Sequence, residues 1–382
     1  MLTGRELSPD KVPIDSLDGL RGMAALIVFL SHTSNDRIFL LPFLDCSGIG
    51  KMGVYLFFIL SAFLLTVPFL RLGDAVTNKM FLLNYALRRF FRIYPLYGAY
   101  LVVALASSIL LWRLFDLHRP VGIPFFLSWQ DFVNHVLLMK GKGVTWSILV
   151  EFRYYLVLPL VAIMYSLILK KHVGASLGAT FLMIAGCQLI WPQSESLAND
   201  TRLGPYLSIF LLGSLLALLF HRWEESSLAD NKMAGLVIEG LGILAGLTLI
   251  FMIPSVSSWV LGEDIPFNYY HKEFLLFGLL WSLVVFACVT GAGGIRKIFE
   301  APALRFVGFV SFSVYLLHIV VIDLVKRLGV DNPMQGWLML VLTLGLSYLS
   351  WRLIERPSSK VKLSLPAPSQ ARPYEKSFRS VG

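Results

Sequence analysis

Ten predominantly apolar stretches run along the chain, at about 19–41, 52–71, 92–113, 147–169, 174–191, 204–221, 234–253, 273–290, 303–325 and 335–354, separated by short polar segments. A helix rising 1.5 Å per residue needs about 20 residues to cross a hydrocarbon core about 30 Å thick, and most of the stretches have that length. Unless strands close into a barrel, only helices satisfy their backbone groups in lipid. The pattern therefore predicts an all-α, polytopic integral membrane protein of about ten transmembrane helices. The first stretch is the least apolar. Its continuous apolar run is only Met23 to Leu30, and Gly19, Gly22, Ser31 and His32 flank it. Such a helix belongs inside a bundle, where polar groups find partners, and not against lipid.

Composition agrees. Hydrophobic residues make up 56% of the chain and charged residues 15%, and the mean hydropathy is +0.70. A soluble core of this length cannot hide so much apolar surface. The net charge of +9 does not indicate a nucleic-acid partner, because the basic residues collect in alternate loops. One side carries Arg71, Lys79, Arg88, Arg89 and Arg92, then Lys170 and Lys171, His221, Arg222 and Lys232, Arg296, Lys297 and Arg305, and finally Arg352, Arg356, Lys360 and Lys362. The other side carries Asp36, Arg37 and Asp45, then Glu195, Asp200 and Arg202, then Glu263, Asp264 and Lys272. The Lys and Arg excess marks the cytoplasmic face. Both termini are thus expected in the cytoplasm, with the chain multi-pass in the cell membrane (the inner membrane, if bacterial). One long loop, 114–145, is an exception: it lies outside yet holds Arg119, Lys140 and Lys142, along with Trp129. It is expected to fold against the membrane surface or over a site.

No internal repeat or second soluble domain is visible. The expected organisation is a cytoplasmic segment 1–16, a transmembrane domain 17–356 and a disordered, basic cytoplasmic tail 357–382, rich in Pro, Ser and Lys. Residues 1–16 lack the pattern of a cleaved signal peptide, so the first span is expected to act as an uncleaved anchor. Cys46, Cys187 and Cys288 have neither metal-binding nor disulfide spacing. They read as small apolar packers, and no metal is expected.

Candidate chemistry lies where ionisable groups meet apolar sequence, since such groups are costly in a bilayer and usually functional. Arg21 and His32 share the first stretch. Eleven helical residues rise about 16 Å and return to within about 20° of the same azimuth, so both point to one face at different depths. That suits a site for something long. Either residue could instead satisfy a neighbouring helix. Arg88, Arg89 and Arg92 form a compact guanidinium patch before the third stretch, suited to phosphate or to lipid headgroups. Glu151 could orient a histidine, accept a hydroxyl proton or pair with Arg153. His318, three residues after Tyr315, could carry a proton or make an interhelical hydrogen bond. Glu355 sits between Arg352 and Arg356, where local ion pairing is the simplest account. Ser61 has no base nearby in sequence and is not expected to be a nucleophile. No nucleotide-binding glycine loop is present.

Five blocks in fixed order carry a resemblance. They are Leu17-Asp-Gly-Leu-Arg-Gly22 with Arg21 and His32; Gly53-Val-Tyr-Leu-Phe-Phe-Ile-Leu-Ser-Ala-Phe63; Arg88-Arg-Phe-Phe-Arg-Ile-Tyr-Pro95; Trp146-Ser with Glu151 and Tyr155; and Ser313-Val-Tyr-Leu-Leu-His318 with Glu355-Arg-Pro357. Each is weak alone. As an ordered set, from about residue 14 to 357, they make the chain resemble the acyltransferase-3 family of integral membrane acyltransferases. Ala62 departs from the family, which usually has Gly after the Ser.

The resemblance implies transfer of an acyl group, usually acetyl from acetyl-CoA, across the membrane to a hydroxyl of a glycan or glycolipid such as a cell-surface polysaccharide. His32 and Arg21 match the family's essential pair, and Arg89 and Arg92 its arginine motif. On this reading Arg88, Arg89 and Arg92 dock the donor's phosphates and Arg21 binds the donor further in. His32 acts as general base or as an acyl-carrying nucleophile, with Glu151 catalytic and Tyr155 and His318 lining the site. Arg21, Tyr155 or a backbone amide would stabilise the oxyanion. Three alternatives stay open: a non-catalytic permease or flippase for a lipid-linked sugar, a membrane sensor or structural subunit, and, within the enzyme class, acylation of a small molecule or transfer of succinyl in place of acetyl. Oligomeric state is not legible.

Overall fold

The computed structural model describes residues 14–41, 44–115, 127–329 and 334–360, and among them every regular element is helical. The helices are α1 (Ile14–Asn35), α2 (Gly50–Leu72), α3 (Lys79–Phe115), α4 (Trp129–Val136), α5 (Thr145–Ile163), α6 (Val173–Ile190), α7 (Gly204–Glu224), α8 (Lys232–Phe251), α9 (Pro254–Leu261), α10 (Phe274–Thr290), α11 (Gly294–Phe299), α12 (Pro302–Phe309), α13 (Ser311–Lys326), α14 (Met334–Ser350) and α15 (Arg356–Ser358). Two π-helical segments, Met164–Ile168 and Trp351–Glu355, continue α5 and α14. All but the start of the expected tail, 361–382, lies outside the described residues, as does 1–13.

Each of the ten apolar stretches contains a helix. Among the described residues, seven helices are long and apolar enough to cross a membrane, and an eighth qualifies if α12 and α13 count as one span. That pair departs from expectation. The stretch 303–325 is not one straight helix but two, bent by 79° where the α12 hydrogen-bond ladder ends at Val310. The third stretch also differs: α3 starts at Lys79, so Arg88, Arg89 and Arg92 lie inside a long helix and not before one. By length and composition α10 is short, at 17 residues, and α1 is not among the qualifying helices.

The core explains the odd first stretch. Residues of α1 and α2 are buried in the centre of the bundle, including Leu20, Ala24, Tyr55, Leu56, Ile59 and Phe63. The glycines of the Leu17–Gly22 block are there for contact. A Cβ on Gly19 would lie 1.7 Å from the Phe299 carbonyl oxygen, and one on Gly22 would lie 2.1 Å from that of Leu304. Gly308 closes the crossing from the other side, its own Cβ position 1.7 Å from the Asp18 carbonyl oxygen. Without a hydrophobic drive between helices in lipid, such backbone contact is what small residues allow.

The described end of the long loop, 127–144, packs against α3. Tyr94 and Tyr97 donate hydrogen bonds to the carbonyls of Val136 and His135 at 2.5 and 3.1 Å. Two of its basic residues are met locally, since Asp131 pairs with Lys140 at 3.3 Å and Lys142 at 3.8 Å; Arg119 lies outside the described residues. Burial opposes ionisation of Asp131, but the two lysines outweigh it and hold the carboxyl below its usual range. Cys46, Cys187 and Cys288 are buried free thiols, as expected of packers.

Candidate active site

Arg21 and His32 do not share one cavity. They line two, stacked along α1. The first, of about 90 Å³, lies toward the start of α1 and is lined by Arg21, Arg89 and Arg92 together with Ser61, Glu151 and Tyr155. The second, of about 270 Å³, lies toward its end and is lined by His32, Asn35, Lys51, Trp146, Asn199 and His271. Val54 and Tyr315 line both.

In the basic cavity, three guanidiniums converge from α1 and α3. Arg21 contacts Asp18 at 3.2 Å and Arg92 contacts Glu355 at 3.2 Å, while Arg89 makes no ion pair among the described residues. Arg88, predicted to join them, is exposed and does not line the cavity. Opposite the arginines, one oxygen of Glu151 accepts hydrogen bonds from the Ser61 and Tyr155 hydroxyls, the latter at 2.6 Å.

Three expectations are corrected here. Ser61 does have a carboxylate beside it, supplied from 90 residues away. Arg153 does not pair with Glu151 but donates to the Thr201 carbonyl. Glu355 pairs with Arg92 and Ser313, from other helices, and not with Arg352 or Arg356.

In the second cavity the histidine geometry fixes a tautomer. His32 Nδ1 lies 2.8 Å from the Val28 carbonyl oxygen. A carbonyl only accepts, so Nδ1 carries the proton and Nε2 keeps a lone pair. His318 repeats the arrangement one helix away, with Nδ1 3.0 Å from the Val314 carbonyl and Nε2 buried without a partner among the described residues. The two rings meet edge-to-face, centroids 4.9 Å apart. His318 therefore packs on His32, while Tyr315, its expected partner, bonds Ser147 Oγ at 2.6 Å.

Sequence reasoning missed Lys51, Asn35 and His271 on this cavity. Asn35 Oδ1 accepts from the Gly48 amide at 3.0 Å, and His271 Nε2 donates to the Gly48 carbonyl at 2.7 Å. Together they clamp Gly48 through the two peptides that flank it. Lys51 Nζ donates to the carbonyls of Ser196, Leu197 and Ala198, tying the 193–198 turn to α2. Lys51 left a signal: it is a lone cation where α2 meets the basic-poor side. Asn35 and His271 left none, as their partners are backbone groups distant in sequence.

The acyltransferase domain profile matches residues 14–352. The chain belongs to the acyltransferase family. Among its relatives, a Staphylococcus aureus (strain COL) protein named "Putative O-acetyltransferase" is 28% identical over 91% of this chain and 57% of its own length. The peptidoglycan O-acetyltransferase OatA of Listeria monocytogenes serovar 1/2a is 27% identical over 91% of this chain and 56% of its own length. This family member thus spans little more than half the length of the curated relatives it matches. No solved structure matches the chain.

Proposed function

We propose that this chain is a membrane O-acyltransferase, moving an acyl group, acetyl in the first instance, from cytoplasmic acyl-CoA to a glycan hydroxyl across the membrane. The observation that carries the reading is the pair of back-to-back cavities, one walled by arginines and the other by a histidine with a free Nε2 lone pair. The loop charges support a cytoplasmic basic side and ten passes, with α1, α10 and the bent α12–α13 pair completing the seven longer helices. The name of the Listeria relative supports a glycan acceptor, and family membership supports an enzyme over a permease.

The donor is a substrate carrying phosphates, which suit Arg21, Arg89 and Arg92. Arg89, unpaired, would meet a phosphate without breaking an existing bridge. Glu151 faces the same cavity held by two hydroxyls and would orient them toward the donor. The acceptor hydroxyl gives its proton to His32 Nε2 as its oxygen bonds to the thioester carbonyl carbon. The carbon–sulfur bond then breaks, and the sulfur leaves as thiolate and takes the proton from His32 Nε2, which regenerates the base. Positioned base catalysis of this kind contributes about 10²–10⁴-fold. His318, packed on His32, would hold the ring in its productive orientation.

The test reconstitutes the purified chain in liposomes with labelled acetyl-CoA outside its basic face, and compares O-acetyl NMR signals of host polysaccharide with and without expression. Transfer that disappears in His32→Ala and Arg21→Ala, both present in the membrane, supports the reading. Acetyl-CoA consumption without glycan acetylation points to a small-molecule acceptor. Absence of acetyl-CoA consumption by wild type overturns the enzyme reading in favour of a permease.

A further inference from the structure

Val54 and Tyr315 are the lining residues common to the two cavities, and both are buried. Val54 is 6% exposed and Tyr315 7%. The Tyr315 hydroxyl is fixed to Ser147 on α5, and Phe57 meets its ring edge-on at 6.2 Å. On the far side of Ser147, Trp146 belongs to the histidine cavity, and on the near side Ile148 belongs to the basic one. The same three helices, α2, α5 and α13, thus build the partition and both chambers beside it. A group passing from the arginines to His32 must cross where Val54, Ser147 and Tyr315 meet.

We infer that this junction is an acyl-size filter, with Val54 as the residue that limits the length of the transferred acyl group. The inference rests on the transferase reading above. Its physical basis is that one added methylene in a closely lined apolar site changes discrimination by about 10–200-fold. Val54 is the member best placed to set that limit, because its branched side chain packs against both cavities without a hydrogen bond of its own. Tyr315 and Ser147 are hydrogen-bonded to each other, which holds their side of the junction in place. A two-carbon acyl group then passes most readily, and each further carbon meets the Val54 methyls.

The experiment measures transfer from acetyl-, propionyl- and butyryl-CoA by the full-length chain in liposomes, for wild type, Val54→Ala and Val54→Thr. Wild type should prefer acetyl. Val54→Ala should raise the butyryl-to-acetyl ratio of kcat/KM about tenfold or more, while the near-isosteric Val54→Thr should keep the wild-type ranking. If Val54→Ala does not accumulate in the membrane, Val54→Cys, intermediate in size, should shift the ratio in the same direction. A wild type that transfers acetyl, with an unchanged ranking in the smaller variant, overturns the filter and leaves the transferase reading intact. A wild type that uses none of the three donors overturns both.

Discussion

Arg92 and Glu355 meet at 3.2 Å across 263 positions of sequence, joining the middle of α3 to the π-helical end of α14. The Glu355 side chain is 1% exposed and that of Arg92 32%, so the pair is lopsided: the carboxylate is sealed in and the guanidinium is half in the cavity. Ser313 adds a second hydrogen bond to Glu355 from α13. Three helices are thereby fixed around one carboxylate, and the arginine it holds lines the basic cavity.

That geometry separates structure from binding at Arg92. Arg92→Ala leaves a buried carboxylate with Ser313 alone. Removing one partner of a buried pair costs about 3–5 kcal/mol, and solvent access to Arg92 should bring the cost below that range. Adding Glu355→Gln, which removes the stranded charge, should recover much of the thermal stability in detergent. It should not restore acyl transfer, because the lost guanidinium belonged to the donor cavity. Recovery of both together would mean that Arg92 serves only to hold α14.

Arg89 makes the contrasting case. It has no carboxylate partner among the described residues and lines the same cavity. Arg89→Ala should leave the melting temperature nearly unchanged and weaken donor use chiefly through KM. The loss should be about ten- to a hundredfold, the scale of one charge-assisted hydrogen bond at about 1.5–3 kcal/mol. A variant that loses kcat with unaltered KM would place Arg89 in the transition state instead of the donor-binding step.

How much of this was legible in the sequence depends on the range of the interaction. Hydrophobic runs are local, and each of the ten holds a helix. The Arg21–His32 spacing is local too, and helical periodicity set their separation along α1. Long-range partners left no such trace. Glu355 has arginines on both sides in sequence, yet its partner is on α3. Ser61 lacked a base only while Glu151, 90 residues away, was out of view. The bend at Val310 was hidden because hydropathy reads apolar content and not helix direction, so two helices at 79° look like one stretch.

The glycine contacts between α1 and the α11–α12 region give a test of the packing that positions Arg21. A Cβ at Gly22 would sit 2.1 Å from a backbone oxygen and 2.9 Å from the Gly308 amide nitrogen, and neither can step aside as a side-chain tip could. Gly22→Val should therefore push α1 off the crossing and displace Arg21, its neighbour. Overpacking of this kind costs about 1–3 kcal/mol or more. The expected result is lower accumulation in the membrane, a lower melting temperature and loss of transfer. Wild-type accumulation and stability would show that the crossing is looser than its backbone contacts imply.

His271 supplies the pH dependence. Burial is the main cause that pushes its pKa below the usual 6.5; nearby Lys51 adds to the effect and the Gly48 carbonyl opposes it. The folded rim therefore holds the ring neutral, while an opened rim binds the proton as pH falls below about 6.5. Stability of the rim is then fully present above that value and is lost progressively as pH drops toward the lowered folded pKa. Gly48, at φ +82° and clamped by Asn35 and His271, should report it. Its amide should exchange faster, relative to the intrinsic rate, at pH 5.5 than at pH 7.5. In His271→Asn the titrating group is gone, so the rim should be looser at both pH values and the difference between them should vanish. If the difference persists in that variant, another group opens the rim, and His271 is a packing residue without a titration of its own.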